Sequence, residues 1–100
     1  MLRTTAIPSK NPASAGRTVE GQAVIAMSDR AVIHILNDVG TRVWNLIDGR
    51  RSVEEIAATV RGQLVEGGYE EVPSDLEKDI EDFLEDVRSK EMITLDEAGQ

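Results

Sequence analysis

The run from Ile33 to Gly49, IHILNDVGTRVWNLIDG, constrains the fold more than any other part of the chain, because its periodicity changes partway along. It opens as a short apolar strand, turns at Asn37, and continues as an amphipathic helix predicted to stop at Gly49. Asn37 is placed to cap that helix, since its side-chain oxygen reaches an orphan amide of the first turn while its own backbone is still extended. Val39, Val43, Trp44, Leu46 and Ile47 recur at three- and four-residue spacing and share one broad face. Trp44 is the sole tryptophan, and a lone indole among aliphatic neighbours is expected to anchor the core.

A chain of 100 residues holds one domain with a modest core, near the size where burial only just exceeds chain entropy. There is no cysteine, so disulfides and thiolate metal sites are excluded; this suits a reducing compartment. No apolar run approaches the roughly 20 residues that span a bilayer, and no signal-peptide core is present. The expected location is cytoplasmic. Nineteen acids against eleven bases give a formal charge of -8, which repels phosphate backbones and disfavours nucleic acid as a partner.

Residues 1–16 carry prolines, serines and a glycine with little apolar periodicity, and are expected to form a flexible arm. From residue 17 the pattern changes to β-favouring runs at Thr18 to Glu20, Gln22 to Met27 and Ala31 to Leu36, with Ser28-Asp29-Arg30 as a hairpin turn. Val24, Ile25, Val32, Ile33, Ile35 and Leu36 do not alternate cleanly, which predicts cover on both faces. Ser52 and Glu55 form a capping box for a second helix to about Glu66, ended by Gly67-Gly68. Ser74 and Glu77 repeat the box for a third helix, with Leu76, Ile80, Phe83, Leu84 and Val87 as its apolar stripe out to about Lys90. A closing extended segment follows at Met92 to Leu95, and residues 96–100 are expected to fray.

Catalysis is not expected. The only histidine, His34, lies in a predicted strand without the neighbours a metal or catalytic site needs, and no glycine cluster forms a phosphate loop. No cofactor is expected. The third helix sorts its acids into two stripes at about 100° per residue: Asp75, Asp79, Asp82 and Asp86 on one flank of the apolar face, Glu77, Glu81 and Glu85 on the other. Such a face is either simply solvated or lines a groove for basic groups of a ligand.

The order Leu36, Asn37, Gly40, Val43, Trp44, Leu46, Ile47, Asp48, Gly49 resembles the signature of the coenzyme PQQ synthesis protein D family, the PqqD-like proteins. Ser52, Val53, Glu55 and Ile56, then Tyr69 and Pro73, then Asp79, Ile80, Phe83 and Leu84 continue the resemblance, over roughly residues 17–95. One departure is Glu91, where the family usually has glycine before its last apolar pair. The resemblance implies an α+β, winged-helix-like domain, a three-stranded antiparallel sheet followed by three helices. It also implies a RiPP recognition element: a non-catalytic adaptor that binds the leader of a ribosomally made precursor peptide and presents it to a modifying enzyme, often a radical SAM protein. Carried onto this chain, the leader adds as a strand to the edge Val32, Ile33, His34, Ile35 and Leu36, against a wall of Asp79, Ile80, Phe83 and Asp86. Of Ile33 and Ile35, one is expected to turn its amide to the ligand and the other to the hairpin. The competing reading is a winged-helix DNA-binding or transcription-related module. Its recognition helix would carry seven acids and one lysine between Asp75 and Asp86, the reverse of what phosphates require.

Overall fold

The computed structural model describes residues 5–68 and 75–96. The elements run β1 (Ile7–Lys10), β2 (Ser14–Val19), β3 (Gln22–Met27), β4 (Val32–Ile35), α1 (Asp38–Leu46), α2 (Val53–Glu66), α3 (Leu76–Ser89) and β5 (Ile93–Asp96). β2, β3 and β4 form an antiparallel sheet in that order, and β1 pairs with β5 in a second, two-stranded sheet. The fold is therefore α+β, with the expected three-stranded sheet and three helices plus a strand pair that joins the two ends of the chain.

The flexible-arm expectation fails over the described part of residues 1–16. Ile7 pairs with Asp96 and Lys10 with Ile93, Ala6 is fully buried, and the Ala6 carbonyl accepts from Val53 N at 2.9 Å. Local pattern missed this because alanine and proline carry no periodic signal and the pairing partner lies at the far end of the chain. Pro8 is tolerated because β1 is an edge strand, where a missing amide hydrogen costs no ladder bond. β2 likewise starts earlier than Thr18, its Ser14 lying opposite Met27. The first four residues, Tyr69 to Ser74 and the last four residues lie outside the described residues, as does the Ser74 cap. Asp75, the N-cap of α3, makes no side-chain cap bond.

Both hairpins have local causes. Glu20 and Gly21 take φ of 51° and 83°, the pair of left-handed residues that a two-residue turn needs to match strand twist. In the β3–β4 turn, Arg30 forks onto Asp29 at 2.9 Å and reaches across to the Lys90 carbonyl at 3.1 Å and the Glu91 carboxylate at 3.2 Å. This hairpin is thus tied to the C-terminal end of α3.

Asn37 caps α1 as expected, its Oδ1 accepting from Gly40 N at 2.8 Å. α1 ends at Leu46 rather than running to Gly49: Asp48 Oδ1 accepts from the amides of Arg50 and Arg51, each at 2.9 Å, and turns the chain first. The capping box of α2 is complete, with Ser52 N donating to Glu55 Oε1 at 2.8 Å and Glu55 N to Ser52 Oγ at 3.2 Å. Glu77, expected in a second box, instead takes the Arg61 guanidinium at 2.7 and 2.9 Å and ties α3 to α2.

The core lies between the helices and one face of the sheet. Ala23, Ile25 and Met27 of β3 meet Val43 and Trp44 of α1, Ile56, Val60 and Leu64 of α2, and Ile80, Leu84 and Val87 of α3, all buried. Trp44 is 3% exposed, the core anchor expected. The expectation of cover on both sheet faces fails: Ile33 and Ile35 are each 68% exposed. They share the outer face with their partners Ala26 and Val24, since side chains alternate along a strand.

Candidate functional site

The free edge of β4 and the side of α3 enclose a groove of about 350 Å³, lined by Leu36, Asn37 and all of 33–35 on one side and by Phe83, Asp86, Val87, Lys90 and Met92 on the other. Its walls are set by register. Ile25 lies opposite His34, and Ile25 faces the core, so Val32, His34 and Leu36 point to the helix side of the sheet while Ile33 and Ile35 point to the open side.

The same register fixes the backbone. Leu36 N donates to Ala23 O at 2.9 Å, so Leu36 turns its amide inward to β3. Amide direction alternates along an antiparallel strand, so His34 also faces β3, whereas Ile33 and Ile35 both turn N–H and C=O to the free edge. The expectation that one of the two serves the hairpin is therefore corrected: positions two apart in a strand point the same way. No described strand covers this edge.

Of the expected wall, Phe83 and Asp86 line the groove and Asp79 and Ile80 do not. Ile80 is 0% exposed and is a core residue, because its place in the apolar stripe of α3 turns it to the domain centre. Asp79 is exposed one turn N-terminal to the groove. The Asp flank is partly self-neutralised, with Lys78 on Asp82 and Lys90 on Asp86, each at 2.9 Å. Val32, 38% exposed, belongs to the strand but not to the lining.

Four lining residues escaped the sequence reading: Asn37, Val87, Lys90 and Met92. Asn37 was read as a cap, Val87 as part of the apolar stripe of α3, Lys90 as a helix end and Met92 as the start of the closing extended segment; their convergence depends on how α3 lies against β4. Gly40 explains part of that crossing. A Cβ built there would stand 3.0 Å from Phe83 Cε1 and 3.1 Å from Asn37 Oδ1, so the missing side chain is what lets the ring lie against the start of α1. A second contact holds the strand end: the buried Thr41 hydroxyl accepts from Ala23 N at 2.9 Å and donates to Leu36 O at 3.3 Å.

The departure at Glu91 leaves the local turn intact. Glu91 takes φ of 62°, the left-handed conformation that glycine would adopt most cheaply. Among the described residues no group of three or more acids and histidine is arranged to hold a metal ion, and no helix is long and apolar enough to cross a membrane.

A solved structure described as TbiB1 in complex with the TbiA(beta) leader peptide superposes with a TM-score of 0.70 at 22% identity, covering 85% of this chain and 93% of that one. This likeness establishes the shared fold. No curated protein matches the chain. Residues 22–93 match the family described as coenzyme PQQ synthesis protein D, a span that holds β3, β4, all three helices and the start of β5, and the chain belongs to that family.

Proposed function

We propose that this protein is a non-catalytic peptide-binding adaptor, which takes the leader segment of a ribosomally made precursor peptide as a fourth strand on β4 and presents the peptide to a separate modifying enzyme, a radical SAM protein being the expected kind. The observation that carries the reading is the open edge of β4 beside a part-apolar groove. Backbone groups at Ile33 and Ile35 supply bonds that ignore the ligand's side chains, while His34, Leu36, Phe83, Val87 and Met92 select among them. The adaptor acts by raising the local concentration of substrate at the enzyme. Membership of the PqqD family and the leader-bound structural relative support the same reading. The acidic exposed flank of α3 gives the DNA-binding alternative no support.

The test uses a synthetic leader segment of a candidate precursor peptide. Adding it should slow amide exchange in 32–36 and in the groove side of α3 together. Ile33→Pro and Ile35→Pro each remove an outward donor without touching the β3 ladder, so both variants should fold and both should lose binding. Two folded variants that bind as wild type would refute strand addition at this edge.

A further inference from the structure

The opposite edge of the sheet carries a second, smaller recess, of about 130 Å³, lined by Lys10, Gly16, Arg17, Thr18, Ala23, Trp44 and Asn45. No acid lines it, in a chain with nineteen acids. At its floor is the indole of Trp44, 97% removed from solvent by the 3% exposure already noted. Its N–H finds no acceptor among the described residues, yet no side-chain polar atom there is sealed away without a partner. The one polar atom of the core tryptophan therefore opens onto this recess.

Two neighbours keep that opening and charge it. Gly16 stands directly over the indole: a Cβ there would lie 3.2 Å from Trp44 Nε1 and 2.8 Å from Ile25 Cδ1, so any larger residue would press on both and cover the N–H. Lys10 Nζ lies 5.0 Å from the ring centroid, within cation–π range, and makes no ion pair in the described structure. Burial pushes its ammonium below the ordinary lysine value, the direction expected for a charge with no carboxylate beside it. The backbone of β2 adds donors. Ser28 N bonds Ala13 O across the β2–β3 pair, and by alternation the amides of Gly16 and Thr18 face the free edge.

We propose that this recess binds a single carboxylate, whose oxygens accept from the Trp44 indole N–H and from the Lys10 ammonium. The volume of about 130 Å³ is sufficient for one such group. Charge-assisted bonds in a partly dry recess are stronger than their exposed counterparts, and the site lies on β2, across the sheet from the leader groove. The carboxylate could be a free organic acid or an acidic side chain of a docked protein, and two probes separate these sources.

Because Trp44 is the sole tryptophan, the protein has one indole N–H resonance, and it sits in the proposed site. Sodium acetate and capped aspartate (N-acetyl-aspartate amide) are titrated separately at ionic strength held constant with sodium chloride. The indole cross-peak should shift saturably with at least one of them, the tighter probe naming the source. Lys10→Met should weaken the midpoint by about tenfold or more, as loss of one charged hydrogen bond implies, and Lys10→Arg should retain most of it. A shift that never saturates, one that chloride alone reproduces, or a Lys10→Met protein that titrates like wild type would overturn the proposal.

Discussion

Replacing Thr41 by valine removes a hydroxyl from the centre of the fold and almost nothing else, so its cost can be worked from the bonds on either side. The hydroxyl closes the end of the β3–β4 ladder: Ala23 N donates to it at 2.9 Å, and it donates to Leu36 O at 3.3 Å. After Thr41→Val the Leu36 carbonyl keeps the Gln22 side-chain amide at 3.3 Å, so its loss is small. The Ala23 amide keeps nothing. An orphaned buried donor costs about 1–3 kcal/mol, against which the added methyl returns about 0.8 kcal/mol at most. The net expectation is a loss of about 0.2–2 kcal/mol, or roughly 1–15 °C in melting temperature for a domain of this size. Thr41→Ser keeps both bonds and loses one buried methyl, about 1 kcal/mol. Urea denaturation gives the three stabilities, and amide exchange at Ala23 gives a local readout, since that proton should exchange faster in the valine variant by more than the global loss explains. A valine variant within about 0.5 kcal/mol of wild type, with Ala23 still protected, would refute the assignment of the hydroxyl as the ladder's end cap.

Deleting residues 1–10 should lower stability by about 1–3 kcal/mol, because Ala6 and Pro8 are buried and β1 covers β5; a thermal melt unchanged from wild type would show that the β1–β5 pair is dispensable. Glu91→Gly should be more stable than Glu91→Ala by about 1 kcal/mol, since both lose the exposed Arg30 contact but only glycine relieves the positive φ; equal melting temperatures would contradict this. The Arg61 guanidinium holds the Glu77 carboxyl below its ordinary value of 4.5, so the pair's contribution is complete above that value and fades as pH falls through the lowered one. Glu77→Gln should therefore cost well under about 1 kcal/mol at neutral pH, as exposed pairs do, and the difference from wild type should vanish in strongly acidic urea titrations; a gap that persists there would point to packing instead of charge.

What could be read from residues alone was whatever depends on neighbours in the chain. The Asn37 cap, the Ser52–Glu55 box, the apolar stripes of three helices and the burial of Trp44 all follow from spacings of three or four residues, and each is present in the structure. The order of those signals also marked the family. Tertiary structure alone decided the rest. β1 carries no periodic pattern, and only its pairing with a strand more than eighty positions away makes it one. Whether Ile80 or Phe83 reaches the groove depends on the rotation of α3 against β4, and two residues of one apolar stripe diverged, Ile80 to the core and Phe83 to the rim. The direction of the Ile33 and Ile35 amides was hidden in an unbroken apolar run and became readable once a single bond, Leu36 to Ala23, set the register. Local periodicity reports which face of an element is apolar; it carries no information about which other element that face, or that edge, will meet.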